Sequence, residues 1–182
     1  LPLVDKPIIQ YVIQEAKQSG LEILPPDVNK SFVNFTPEGE PAAASRGEAK
    51  AGNKIRFGLV AVKNVGSEIA RVIIEERVRG GPFKSFEDFL SRVQHKDLNK
   101  KSLESLVKAG AFDSLGVERN QALVGIDDIL RFTASLRKDA QPQRGASLFG
   151  ASSASAPTLK LKPAPPATKD QKLAWEKELI GF

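Results

Sequence analysis

The stretch LVAVKNVGSEIARVIIEERVRGG, residues 59–81, decides the fold. It predicts a short helix from Leu59, a tight turn at Asn64-Val65-Gly66, and a second helix opening at Ser67. Ile69, Val72 and Ile73 recur at three- and four-residue spacing, which places them on one buried face. Ser67 is the expected N-cap, and Gly80-Gly81-Pro82 ends the helix with residues that accept positive φ and then forbid continuation. Gly66 adopts positive φ freely, and Asn64 is one of the few other residues that tolerates it. Such a turn leaves backbone N–H groups unpaired at the start of the second helix, where the helix dipole favours an anion. With Lys63 beside it, the turn Asn64, Val65, Gly66 and Ser67 has the chemistry of a phosphate site.

Helix, glycine-bearing turn and helix together form a helix-hairpin-helix pattern, which holds nucleic-acid backbone without reading sequence. The usual hairpin is glycine, hydrophobe, glycine; Asn64 stands here for the first glycine. The bland alternative is a helix pair that only packs on a core, making the chain a protein-interaction module.

Composition narrows the classes. The 182 residues suffice for one good core or two small ones, and 41% hydrophobic with 27% charged residues is a soluble globular balance. No apolar run has the length of a membrane span and no charged-then-apolar leader is visible, so neither a membrane partner nor secretion is expected. The absence of cysteine excludes disulfides, thiolate metal sites and thiol nucleophiles, and fits a reducing, cytoplasmic setting. The first residue is Leu1 and the last four are apolar or glycine, so both ends read as cut from a longer chain. The net charge of +5 is uneven: residues 51–116 carry 12 basic and 8 acidic groups, and residues 141–182 carry 6 and 3. Excess positive charge therefore lies on the hairpin segment and the tail, as a polyanion partner would favour.

Outward from the hairpin, the N-terminal side reads as a small α/β segment. Asp5 caps a helix with Ile8, Ile9, Val12, Ile13 and Ala16 as its stripe and Gly20 as its stop. Residues 21–24, 32–35 and 55–57 are strand candidates, with a Pro/Ala/Gly-rich loop over 36–53. On the C-terminal side, Ser85 opens a helix whose Phe86 and Phe89 join Phe83 and Leu90 as core rather than as stacking platforms for bases. His95 has no ligand-type partners at metal spacing. Asn99 caps the next helix, with Leu103, Leu106 and Val107 on one face, and Gly110 ends it. A further helix from about Val117 to Thr133 makes this a second, degenerate hairpin, either a phosphate grip at Gly110 or a structural partner of the first. Residues 138–168 turn to Pro, Ala, Ser, Gly and Lys and read as a disordered linker. Ala146-Ser147-Leu148-Phe149 interrupts it with an apolar pair suited to another protein's pocket. Thr168 and Gln171 form a capping box for a last helix. The expected organisation is thus mostly α: a small α/β segment over 1–57, a tandem helix-hairpin-helix domain over 58–137, a linker over 138–168, and the start of a following domain at 169–182.

In order, these residues resemble the alpha subunits of bacterial DNA polymerase III, the family C replicative polymerases. The resemblance is carried by Glu15 to Lys17 running on to Leu24-Pro25-Pro26-Asp27-Val28-Asn29, and by Ile55 to Gly66. Gly80 to Phe83, Leu103 to Asp113 and Lys172 to Phe182 carry it further. It implies the end of the polymerase fingers over 1–57, then a tandem helix-hairpin-helix module that holds duplex DNA behind the active site. It also implies a short motif that docks on the ring-shaped sliding clamp, with other replicase subunits reached through the rest of the polymerase. The clamp motif resembles Gln-x-(Ser/Asp)-(Leu/Met)-Phe; Ser147, Leu148 and Phe149 match it, while Gly145 occupies the glutamine position and Gln143 lies two residues earlier. The family's catalytic aspartates belong to an upstream palm, and no matching motif occurs here. No catalytic residue, metal or cofactor is therefore expected in this stretch; the magnesium of the resembled polymerase belongs elsewhere in it. A helix-hairpin-helix DNA glycosylase with Asp88 as its acid is the enzyme alternative, and such enzymes need a base-flipping pocket in a larger helical domain.

Overall fold

The computed structural model describes residues 11–38 except 12 and 17, 54–139, and 159–181, without the side chains of 138 and 139. The first described element is α1, helical at 11, 13–16 and 18, which buries Ile13 and Ala16. Gly20, at φ +75°, turns it into β1 (Glu22–Leu24). With β2 (Thr36–Glu38) and β3 (Lys54–Arg56), β1 forms a sheet of order β1-β3-β2. β3 runs parallel to β1, pairing Ile23 with Ile55, and antiparallel to β2, pairing Pro37 with Ile55.

Phe32 to Phe35, expected as a strand, is irregular, and the second strand begins at Thr36. The carbonyls of Phe32 and Val33 are engaged elsewhere: they accept the N–H groups of Leu59 (2.9 Å) and Val60 (3.2 Å). Gly58 makes that approach possible, since a Cβ there would lie 2.4 Å from the Asn34 carbonyl carbon.

The helical part follows as α2 (Ser67–Gly80), α3 (Phe86–Arg92), α4 (Lys100–Lys108), α5 (Arg119–Val124), α6 (Ile126–Asp139) and α7 (Lys169–Leu179). Three starts follow the predicted capping chemistry: Ser85 accepts from Asp88 N–H, while Asn99 with Ser102 and Thr168 with Gln171 form reciprocal boxes. The phenylalanines are core, as expected. Phe83, Phe86, Phe89 and Phe112 are buried, with edge-to-face contacts at 4.8–5.0 Å between centroids. Gly81, at φ +76°, ends α2, whose carbonyls at Glu76 and Gly81 accept from the Arg92 guanidinium.

The helix expected from Val117 to Thr133 is two helices, broken at Gly125. A Cβ there would stand 2.7 Å from Leu161 Cδ2, so this glycine admits the extended strap 159–168. Part of the expected linker is thus packed structure. Asn120 Nδ2 and Gln121 Nε2 donate to the carbonyls of Pro165 and Lys162, and Ala167 N–H donates to Glu118. The stretch read as the start of a following domain also departs from expectation, because Leu179 and Ile180 enter the core containing Phe89 and Leu106.

The boundary expected at residue 57 is likewise crossed by packing. Val28 is fully buried and its N–H donates to Ala111 O; Asn29 makes a two-way amide bond with the Phe83 backbone; Arg77 of α2 donates to the carbonyls of Val28 and Ser31. The loop 25–31 thereby ties the sheet to both hairpins.

Candidate nucleic-acid interface

The first arm of the hairpin is one 3-10 turn, Leu59–Ala61, instead of the expected short helix. Its leading N–H groups are already held by Phe32 and Val33, and Val62 N–H closes onto Leu59 O at 3.2 Å. The chain then reverses through residues 62–66. Asn64 takes the left-handed conformation at φ +65°, the sole positive φ outside glycine among the described residues. Its side chain is fixed as well: Nδ2 donates to Oγ of Ser105 on α4, 2.9 Å away. Asparagine therefore replaces glycine by tolerating the backbone angle and by stitching the hairpin to the neighbouring helix.

Gly66 has φ −81° and ψ 166°, so the expectation of positive φ there is corrected. It is the N-cap of α2 in place of Ser67, which is the first helical residue. A glycine cap has no side-chain oxygen, and no side-chain hydrogen bond caps this helix. Among the described residues no acceptor is found for the N–H groups of Gly66, Ser67 and Glu68, and all three residues are exposed. A Cβ on Gly66 would meet nothing within 4 Å. The helix start is open to an incoming group, with the positive end of a 14-residue helix behind it.

The flanking residues divide in role. Lys63 is exposed at the side chain, while its N–H donates inward to Leu179 O at 3.1 Å. Val65 is buried, with its N–H on Val62 O at 3.1 Å, so it plugs the turn onto the core. Glu68 places a carboxylate in the first turn, where it would oppose an anion, but it is bonded to Arg71 at 3.0 Å. Lys101 and Lys108 lie one turn to either side of Ser105 in α4, at the spacing that shares the face carrying Asn64's partner. Ser105, Lys101 and Lys108 were missed from the sequence; once Ser105 is known as the partner, the three- and four-residue spacing identifies the two lysines.

The second hairpin is built differently. Gly110, at φ +81°, is buried and its N–H donates to Val107 O, so it offers no donor outward and does not join the exposed site. Ala111 N–H returns to Leu106 O, a helix-ending pattern. Arg119 stands directly against Gly110. Its Nη2 lies 2.3 Å from where a Gly110 Cβ would be. It donates to both carboxylate oxygens of Asp113 (3.0 and 2.6 Å), to Lys108 O (3.0 Å) and to Glu176 (2.8 Å). Burial pushes the Arg119 pKa down, but the bonds to Asp113 and Glu176 outweigh it and hold it above its ordinary value. Residues 146–149, the candidate clamp motif, lie outside the described residues.

Among the described residues no group of three or more His, Cys, Asp or Glu side chains is placed to hold a metal ion. No described helix is long and apolar enough to cross a membrane. Asp88 is committed to capping, accepting from Lys84 N–H at 2.9 Å and pairing with Arg92 at 3.3 Å.

The helix-hairpin-helix motif family matches residues 20–122, a span that includes β1, both hairpins and the loop joining them. DNA polymerase III subunit alpha of Thermus aquaticus is 41% identical over 178 residues, covering 98% of this chain and 13% of that protein. The Aquifex aeolicus subunit is 39% identical over 94% of the chain, and the Mycobacterium tuberculosis subunit 33% over 98%. The chain spans 12–14% of the length of these three relatives. With a matching family over more than half its length and relatives 33–41% identical over nearly all of it, the chain belongs to the helix-hairpin-helix family and is homologous to DNA polymerase III alpha subunits.

Proposed function

We propose that this chain holds duplex DNA by its backbone, without reading sequence, as part of a replicative polymerase catalytic subunit, and that it docks that subunit on a sliding clamp. The observation that carries the DNA reading is the open start of α2. The N–H groups of Gly66, Ser67 and Glu68 have no recorded acceptor among the described residues, no side chain stands in front of Gly66, and Lys63 lies alongside. Backbone donors and a helix dipole recognise a phosphate oxygen whatever base it belongs to. Lys63, Lys101 and Lys108 would add charge along the same path. Such contacts lengthen residence on DNA, and a clamp tether raises the effective concentration of the polymerase at its template; together they support processive synthesis.

Duplex binding measured by fluorescence anisotropy over a salt series tests the grip. Affinity should fall steeply with salt and be equal for unrelated sequences, and Lys63→Ala should reduce the slope of log K against log salt by about one unit. Salt-insensitive binding, or none, would leave a helical module whose hairpin only packs. For the clamp, support comes from Leu148 and Phe149 alone, an anchor pair in a Pro/Ser/Ala-rich stretch. Replacing both by Ala should abolish capture by a sliding clamp and leave DNA affinity unchanged; undiminished capture removes the motif from the proposal.

A further inference from the structure

The two hairpins are joined through α7, and the path has direction. At the second turn the Arg119 guanidinium, 6% exposed, is held by Asp113 and Lys108 O within the helical core, and its remaining bond runs to Glu176 on α7. One turn further along α7, Leu179 and Ile180 are buried. Leu179 O there accepts the Lys63 N–H, at the entry of the first turn. Pinning that N–H inward fixes the Val62–Lys63 peptide plane, one residue ahead of Asn64, and so the direction from which the chain enters the open N–H groups of Gly66 to Glu68.

We infer that Arg119 and Glu176 are positioning residues for the DNA grip: they seat α7 so that its last carbonyl holds the Lys63 backbone, and the first hairpin binds DNA tightly only when α7 is docked. This rests on the DNA reading above. It gives the second hairpin a use that its buried Gly110 and filled turn deny it as a phosphate site. It also makes α7 part of the interface without itself touching DNA.

Glu176→Ala in the full 182-residue chain tests this with a readout whose sign separates the explanations. Removing a carboxylate makes the protein more positive, so a role through charge alone predicts tighter duplex binding. Positioning predicts the opposite: Kd for a short duplex rises about tenfold, the scale of one lost charge-assisted bond, with the salt slope unchanged. The Lys63 amide should lose protection from hydrogen exchange, while amides of α2 and α3 keep theirs. Glu176→Gln, which retains an acceptor for Arg119, should recover part of the affinity despite carrying the same charge change, and it stands in if the alanine variant fails to fold. Unchanged or tighter binding by Glu176→Ala, or a Lys63 amide that keeps its protection in it, overturns the inference and leaves the DNA reading standing; so does Glu176→Gln binding no better than Glu176→Ala. Failure of the unaltered chain to bind duplex overturns both.

Discussion

Placing an aspartate at Gly66 should make the protein more stable and a poorer DNA binder at once. The backbone there, φ −81° and ψ 166°, is the extended conformation that capping residues adopt, and a Cβ would meet nothing within 4 Å. A carboxylate at this position reaches the N–H of Glu68 or Ile69, filling the vacant side-chain cap of α2. An oxygen cap in place of glycine is worth only a few tenths of a kcal/mol, and a negative charge at a helix N-terminus adds about 0.3–1 kcal/mol. Glu68 already supplies one acid in that turn, which keeps the total near the low end, about 0.5–1 kcal/mol, or roughly 1–4 °C in Tm. The same carboxylate occupies the donors that a phosphate would use and repels the phosphate itself. Loss of two charge-assisted bonds would cost about 100-fold in Kd if both were well shielded, and in an exposed turn at least about tenfold. Thermal unfolding and anisotropy titration on the same samples read both effects. Gly66→Ala, with no acceptor, should weaken DNA binding less and cost up to about 1 kcal/mol of stability. Wild-type affinity in Gly66→Asp at matched salt, with the fold stabilised, would show that these N–H groups are not where DNA is held.

Two other perturbations probe the frame that presents the turn. Gly58→Ala would set a Cβ 2.4 Å from Asn34 C and 2.7 Å from Val33 O, both backbone, so the two backbone segments must part by about 1 Å. That strains the bonds from Leu59 and Val60, and with overpacking the cost is about 2–4 kcal/mol, read as a lower urea midpoint at unchanged m-value. Acidification should free the strap 159–168 from α5. Burial alone would raise the Glu118 pKa, but N–H donors from Ala167, Gln121 and Asn120 outweigh it and hold it below its ordinary 4.5. A depressed carboxylate contributes fully above the unfolded value and loses that contribution as pH falls through the folded one. Amide exchange at Ala167 should therefore accelerate below pH 4.5, and Glu118→Gln should remove that pH dependence.

What the sequence disclosed was local. The apolar face of α2 and the three caps at Ser85, Asn99 and Thr168 depend on residues within four positions of each other, and each was legible. The phenylalanine cluster followed from burial preference alone. Strand β2 was missed because it contains Pro37, which disqualifies an interior strand but not the edge position it occupies. Ser67 looked like the cap because serine is the better capping residue; the true cap, Gly66, lacks a capping side chain where the proposed function needs free N–H groups.

The two glycine turns show why a motif alone could not assign the site. Each is a helix-ending or helix-starting bend with a residue in the left-handed region, Asn64 in one and Gly110 in the other, and on paper the true glycine has the stronger claim to contact DNA. What separates them is long-range. Asn64 is held from the side by Ser105, 41 positions away, which leaves the adjoining helix start uncovered. Gly110 has its own arginine in the space before it, and that arginine is matched by Asp113 nearby and by Glu176, 57 positions beyond Arg119 in the chain. The guanidinium there has its donors taken by Asp113, Glu176 and the Lys108 carbonyl at the end of a finished helix, so they are not turned outward to a phosphate. Tandem hairpins can therefore divide their work, one turning its donors to solvent while the other spends its conformational freedom on admitting a guanidinium that anchors the next helix.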